Sequence, residues 1–318
     1  MIEFPTIAEF GGEAKFIRRY LNDKEQEWSI FNPSVMLSNE GEYWLAFRSS
    51  NYVIMSNGQP IATVEAKIRN RLFICRLKDN WDLDESTLTE IDIRKTRPTA
   101  RRGIEDPRLF WDGSNYCIST TYLEIDYPIA RVSKMSLKSL ENPESVHFEI
   151  LPSPRGQIEK NWMPIHKIEE ASGSDTDFIY NGYSVIKDKE WILVDEPRNE
   201  TIKFRGGTQL LPLGDGTSIC LIHQTYFRIS PLSMNSATFA PIQSMRQYTH
   251  RFVRYDSDYK IISYSDQFVF VKEGIEFASG IAPTDNGYVI SFGRSDVAYY
   301  IATINREDAL KTLRNTVV

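Results

Sequence analysis

One short pattern recurs along the chain and limits its fold more than any other feature: an apolar run, a tight turn ending in glycine, then an alternating apolar strand. It occurs at Pro33–Gly41 before Tyr43-Trp-Leu-Ala-Phe, and at Pro107–Gly113 before Tyr116-Cys-Ile-Ser. It returns at Gln209–Gly216 before Ile219-Cys-Leu-Ile-His, and at Gly280–Gly287 before Tyr288-Val-Ile-Ser-Phe. Asp-Gly or Asn-Gly between two apolar runs signals a hairpin, because its left-handed backbone matches the twist of the flanking strands. The turn glycines lie 72 residues apart (41 to 113), then 103 (113 to 216), then 71 (216 to 287). The long middle interval holds a fifth, degenerate unit: Met163-Pro-Ile-His-Lys, then Asp177-Phe-Ile-Tyr-Asn-Gly-Tyr-Ser-Val-Ile, with Gly173-Ser-Asp in its turn. Five such units leave about 60 residues each, which suits four-stranded propeller blades with some long loops.

The expected fold is therefore all-β: a five-bladed β-propeller forming a single domain over 1–318. Its blades fall at roughly 30–95, 100–152, 158–200, 203–266 and 274–305, with the N-terminal segment free to complete the last. A pair of stacked β domains is the alternative, but a repeat of about 60–70 residues fits a blade better. Helical periodicity is confined to the two ends, Ala8 to Leu21 and Arg306 to Leu313.

Charge and composition narrow the function. The net charge is −6 with no long basic tract, so the chain lacks the stripe a nucleic-acid binder needs to displace counterions. No apolar run approaches the roughly 20 residues that span a bilayer, and the first residues carry no secretory pattern. Cys75, Cys117 and Cys220 stand far apart in apolar runs and read as buried free thiols of a reducing compartment. A soluble cytoplasmic protein, not associated with membrane, is the expectation. His147, His166, His223 and His250 lack metal-ligand spacing, and no strand–GxGxxG–helix unit occurs, so neither a metal nor another cofactor is expected.

In a propeller the innermost strands bring polar residues from distant segments to one axial mouth. Taken unit by unit, those positions hold Asn32-Pro33 and Arg48, then Glu105-Asp106-Pro107-Arg108, then Lys160-Asn161-Trp162. The fourth unit offers Arg205-Gly206-Gly207-Thr208-Gln209 and His223, and the fifth Glu276 and Asp296. A carboxylate beside arginines and a lysine suits sugar chemistry: an acid can protonate a leaving oxygen while cations hold an anionic nucleophile or leaving group.

These segments, in this order from Asn32 to Asp296, resemble the β-mannoside phosphorylases and hydrolases of glycoside hydrolase family 130 and their β-1,2-mannosyltransferase relatives. Phe31-Asn32-Pro33 with Trp44-Leu-Ala-Phe-Arg48 is similar to the family's Asn-Pro and Tyr-Arg-Ala segments. Gly103-Ile-Glu-Asp-Pro-Arg108 resembles its most specific motif, and Lys160-Asn161 and Ile222-His223 resemble its Lys-Asn and Tyr-His. Glu276-Phe-Ala-Ser-Gly280 and Ser291-Phe-Gly-Arg-Ser-Asp296 resemble its closing blade. The resemblance implies that Asp106 is the proton donor and that Asn32 and Asp296 hold the reacting sugar. It implies further that Arg48, Arg108, Lys160 and His223 surround a phosphate. Arg205-Gly-Gly-Thr-Gln, Tyr248-Thr-His250-Arg251-Phe and Arg294 depart from the family pattern.

The expected activity is thus that of an inverting glycoside phosphorylase or glycosyltransferase on a mannoside-like sugar. Its partners would be a sugar or sugar phosphate, a glycan acceptor and inorganic phosphate. Two alternatives stand beside it: an inverting hydrolase using Asp106 and Glu276 about 6.5–9.5 Å apart, and a non-catalytic sugar-binding propeller. Plainer readings also exist for single residues. Asp106 can cap a turn before Pro107, Arg48 and Arg108 can form surface ion pairs, and His223 can be a core histidine. The basic run Arg94–Arg102 is either a solvated loop or a rim that attracts phosphorylated sugars.

Overall fold

The computed structural model describes residues 4–21, 28–54, 60–63, 68–93, 103–123, 130–143, 145–152, 160–167, 178–180, 184–187, 190–194, 204–229 and 244–316. The basic run 94–102 and the turn at 173–175 lie outside them. The strands form five antiparallel blades in a ring, a β-propeller with a single α-helix, α1 (Arg306–Lys311), among the described residues.

Strand β1 (Glu13–Arg18) belongs to the last blade. Blade 1 runs outward from the axis as β2 (Ser29–Leu37), β3 (Tyr43–Ser50), β6 (Asn70–Arg76) and β7 (Thr89–Ile91), with a small hairpin of β4 (Tyr52–Ile54) and β5 (Pro60–Ala62) beside it. Blade 2 is β8 (Ile104–Trp111), β9 (Tyr116–Leu123), β10 (Ala130–Leu137) and β11 (Ser145–Ile150). Blade 3 is β12 (Met163–Pro164), β13 (Phe178–Tyr180), β14 (Ser184–Lys187) and β15 (Glu190–Leu193). In blade 4, β16 (Arg205–Gly206) and β17 (Leu211–Pro212) both pair with β18 (Ser218–Ile229). Beyond β18 come β19 (Ser244–Tyr255), β20 (Ile261–Tyr264) and β24 (Asn315–Thr316). Blade 5 is β21 (Glu276–Thr284), β22 (Gly287–Arg294) and β23 (Ala298–Asn305), completed by β1.

Strand β2 is buried on both faces from Ser29 to Met36, so apolar and polar residues do not alternate along it. The apolar core is divided among the five blade-to-blade interfaces. Trp44 and Met36 of blade 1 pack with Leu109 and Ile118 of blade 2, and Val132 of blade 2 packs with Trp162 and Phe178 of blade 3. Met163 and Ile179 of blade 3 meet Ile222 and Val253 of blade 4, and Leu221 and Phe252 meet Ile281 and Phe292 of blade 5. The ring closes where Val35 and Phe47 of blade 1 pack with Val289 and Tyr299 of blade 5. Each blade therefore buries both faces against its neighbours, which removes the free sheet surface an isolated blade would expose.

The expectation of helical structure over 8–21 is corrected. Residues 7–10 form one 3₁₀ turn, capped by Thr6 with Glu9 and ended by Gly11 at φ 81. Glu13–Arg18 is then a strand paired antiparallel with β23, from Glu13 opposite Thr303 to Arg18 opposite Tyr299. Its local sequence tolerates a helix, but β23 offers an unpaired edge whose backbone groups need partners, and that long-range pairing prevails. The helix expected near 306–313 is present as α1. The turn glycines Gly41, Gly113 and Gly216 hold φ of 82, 96 and 80, the left-handed backbone that the hairpin pattern implies.

Candidate active site

Inner strands of three blades share one backbone departure. Asn32 of blade 1 (φ 49), Asp106 of blade 2 (φ 51) and Asn161 just before β12 (φ 60) are all left-handed. Asn32 and Asp106 sit in bulges where the ladder register shifts, between Phe31 and Ser34 and between Glu105 and Arg108. Each also precedes a proline, whose ring crowds its predecessor away from helical backbone. Such a conformation costs a non-glycine residue on the order of 1–3 kcal/mol, although Asn and Asp tolerate it best. Strain repeated at equivalent points of adjacent blades marks a place where side-chain direction matters.

The strain is held by close packing and by Arg108. A Cβ on Gly293 would collide with Asn32, and one on Gly206 would collide with the Asn161 carbonyl. Arg108, only 2% exposed, donates from Nε to the Gly207 carbonyl at 2.6 Å. It donates from Nη1 to the Asp106 carbonyl at 3.2 Å and from Nη2 to Asn161 Oδ1 at 3.3 Å. Its guanidinium lies over the Phe277 ring at 5.6 Å. One side chain thus ties blades 2, 3 and 4 together beneath the mouth and rests on blade 5. Burial pushes it down to about 10 against the pull of Asp106, so it remains charged at neutral pH.

Above this staple the carboxylates gather. Asn32 Nδ2 donates to Asp106 Oδ1 at 2.8 Å. Arg48 Nη1 lies 3.3 Å from Glu105 Oε1 and 3.8 Å from Asp106 Oδ1, and Lys160 Nζ donates to Glu105 Oε2 at 3.2 Å. Arg48 is 4% exposed and rests on the Phe31 ring at 4.3 Å. Its Nη2 donates to the Tyr52 hydroxyl at 2.9 Å, and that hydroxyl donates to Asp296 Oδ2 at 3.2 Å. Asp296 and its neighbour Ser295 are left-handed as well, both with φ 54.

Electrostatics separate the two aspartates. Burial favours the neutral acid at Asp106, but Arg48, the Asn32 amide, Lys160 and Arg108 outweigh it and hold its pKa below the ordinary value. Burial raises Asp296 instead, and Asp106 and Glu105 add to that rise against the opposing Arg48 and Tyr52. The two aspartates are thus shifted in opposite directions, Asp106 toward its ionised form and Asp296 toward its neutral form.

Blade 4 supplies the facing wall. Its hairpin strands β18 and β19 run twelve residues each, against eight for β3 and β9. Arg205 is exposed and pairs with His223 across the sheet. His223 stacks on Tyr248 at 5.2 Å and 25°, and meets Phe277 edge-on. Tyr248 is half-buried, and burial raises its hydroxyl, with Asp296 and Asp106 adding to the rise while Arg246 and Arg205 oppose it.

The structure brings together Asn32, Arg48, Glu105, Asp106, Arg108, Lys160, Asn161 and Asp296, with Arg205 and His223 on the facing wall. It corrects three readings. The plainer alternative for Arg48 and Arg108, surface ion pairs, fails because both side chains are buried. His223 is not a cation: burial, with Arg205 and Arg108 nearby, pushes it down to about 3. Glu276, 0% exposed, offers no free carboxylate, for its oxygens accept backbone N–H groups of Phe270 at 2.6 Å, Val271 at 3.1 Å and Lys272 at 3.2 Å. Arg294 Nε adds an ion pair to it at 3.5 Å. Glu276 fixes the loop whose Gly274 carbonyl receives the Tyr248 N–H at 2.9 Å.

Sequence reasoning missed Tyr52 and Tyr248 as site residues. Tyr52 follows Arg48 by four positions in a polar stretch with no motif of its own. Tyr248 lies in a segment that departs from the family pattern, and its alternation with His250 along one face of β19 is the available signal.

No family model matches the chain, and no curated protein matches it. Solved structures do. A GDP-mannose-dependent mannosyltransferase from Leishmania mexicana superposes with a TM-score of 0.59 at 13% identity, over 96% of this chain and 93% of that one. A phosphate complex of a mannose phosphorylase from the same organism gives 0.56 at 12% identity, over 95% and 92%. A β-1,2-mannobiose phosphorylase from Listeria innocua, in complex with β-1,2-mannobiose, gives 0.53 at 12%, over 93% and 95%. These likenesses span nearly the whole of each chain and show a common propeller fold.

Proposed function

We propose that the chain is a carbohydrate-active enzyme that transfers a mannoside-like glycosyl group with inversion, using Asp106 to move the proton and a phosphoryl group as leaving group or nucleophile. The observation that carries this reading is the setting of Asp106, a left-handed, largely buried carboxylate. It accepts from Asn32 at 2.8 Å and lies 3.8 Å from Arg48, surroundings that favour its ionised form. An ionised carboxylate is the form a general base requires. In the synthetic direction the acceptor oxygen attacks the anomeric carbon while the bond from that carbon to the phosphate oxygen breaks. The bonding pair leaves with the phosphate, and the acceptor proton passes to Asp106, directly or through a sugar hydroxyl. Phosphorolysis is the same path reversed and begins from protonated Asp106: a phosphate oxygen attacks the anomeric carbon, the glycosidic bond breaks, and the leaving oxygen takes the Asp106 proton.

Asn32 and Asp296 flank Asp106 and are suited to hold sugar hydroxyls. Arg48 neutralises the carboxylates from beneath, and Arg108 fixes the backbone. Lys160, with 41% of its side chain exposed, and the exposed Arg205 are the cations placed to meet a phosphoryl group. The solved neighbours that bind mannobiose, bind phosphate or use a nucleotide sugar agree with this substrate class. Glu276 is not suited to be the water-activating base of the hydrolytic alternative, because its oxygens accept backbone N–H groups. A non-catalytic sugar-binding propeller would have no need of a strained, ionised aspartate. The test is a screen of mannose 1-phosphate and nucleotide-linked mannose against small mannoside acceptors, with and without inorganic phosphate. Glycosyl transfer releasing phosphate or nucleotide supports the reading, whereas release of free mannose from mannosides alone would replace it with hydrolysis.

A further inference from the structure

The proposed reaction assigns no part to Tyr52, yet this residue joins the two halves of the carboxylate cluster. It opens β4 four residues after Arg48, is 7% exposed, and packs edge-on against Phe31 at 5.6 Å. A guanidinium can only donate, so the 2.9 Å contact makes the Tyr52 oxygen the acceptor from Arg48 Nη2. The phenol has one hydrogen, and it is directed to Asp296 Oδ2 at 3.2 Å. The polarity of the chain Arg48→Tyr52→Asp296 is therefore fixed. Arg48 spends its other branch on Glu105 and Asp106, at 3.3 and 3.8 Å. A single buried guanidinium thus serves three carboxylates, two from blade 2 directly and one from blade 5 through a phenol.

We propose that Tyr52 is a positioning residue that extends the reach of Arg48 to Asp296 and so sets how the charge of the site is divided between Asp296 and Asp106. The proposal rests on the reading that Asp106 accepts the proton. The groups facing Asp296 are Arg48 of β3, Tyr52 of β4, Glu105 and Asp106 of β8, and Tyr248 of β19. Those facing Asp106 are Asn32, Arg48, Lys160, Arg108, Asp296, Tyr52 and Tyr248. Of these, Tyr52 is the one that hydrogen-bonds both Arg48 and Asp296. Without its hydroxyl Asp296 loses the donor that favours its ionised form and becomes easier to protonate. A neutral Asp296 then removes a like charge beside Asp106, which becomes a weaker base.

The experiment is a ¹³C-carboxyl titration of the aspartate-labelled full chain, wild type and Tyr52→Phe, with Asp296→Asn to assign the resonance. Phenylalanine keeps the ring and its packing while deleting the hydroxyl. The expected result is an upward shift of the Asp296 midpoint in Tyr52→Phe. With an active donor pair, kcat should fall roughly tenfold while KM stays within about twofold. Placing 3-fluorotyrosine at position 52 keeps both bonds and strengthens the donor, so it should shift the midpoint downward. That second measurement serves if the phenylalanine protein does not fold. An Asp296 midpoint that moves in neither protein overturns the proposal. The titration needs no substrate, so a failure to find any glycosyl transfer would count against the proposed function and leave the positioning role of Tyr52 standing.

Discussion

Asn32 and Asp106, 74 residues apart in the sequence, occupy the same bulged, left-handed position on adjacent blades and are joined by a 2.8 Å hydrogen bond. The amide donates to the carboxylate, so the bond favours the ionised acid. Such charge-assisted bonds contribute about 1.5–3 kcal/mol. Asn32→Ala should therefore raise the pKa of Asp106 and move the acid limb of the pH–rate profile upward by about one pH unit or more. An unmoved limb would separate Asn32 from the charge state of Asp106.

Gly293 lies where a side chain would strike Asn32. Gly293→Ala should cost on the order of 1–3 kcal/mol of stability, because the neighbour is backbone as well as side chain and cannot swing away. Thermal denaturation measures that loss. Activity in the folded fraction should fall too, since displacement of Asn32 loosens its grip on Asp106.

Asp296 and Asp106 titrate as neighbours, and each anion disfavours ionisation of the other. Asp106 is depressed, so it gains its base form at lower pH than an ordinary carboxylate, and that form is lost only as pH falls through its own pKa. Asp296 is raised, so it takes up its proton first on acidification. By this ordering Asp296 is already neutral when Asp106 titrates, so Asp296→Asn should leave the acid limb of the residual activity nearly unmoved. A clear shift of that limb to lower pH would contradict this ordering of the pair.

His223 is held near 3 by burial and by adjacent guanidinium groups. Its imidazole should remain neutral from pH 8 to about pH 5, and ¹⁵N shifts of the ring should be flat over that range. A midpoint near the ordinary histidine value would restore it as a candidate cation for phosphate.

Much of the architecture was legible in the sequence because it rests on local signals. Gly41, Gly113 and Gly216 adopt the left-handed turns that the hairpin pattern implies, and the apolar runs after them are the second strands of blades 1, 2 and 4. Asn32 and Asp106 stand out by their place in each unit and by the family resemblance, whereas their bulges arise from ladder pairing across each blade. Strand β1 reads locally as helix because its partner, β23, lies almost three hundred residues away, and local preference carries no trace of that edge. Charge states were beyond the sequence for the same reason. His223, Arg48 and Glu276 look alike as candidate ligands in a motif, but their roles follow from burial and from partners on other blades. Tyr52 acquires its place only when blade 5 brings Asp296 to it.

The central claim is that Asp106 carries the proton in glycosyl transfer, and Asp106→Asn tests it most directly. Asparagine fits the shape of the site and accepts the left-handed backbone at φ 51, so the fold should be kept. Single-turnover transfer from the donor identified by the screen, measured alongside donor binding, should be slower by on the order of 10²–10⁴ with binding changed little. A variant that folds, binds donor and transfers the sugar at near the wild-type rate would contradict the account and place the proton with another residue.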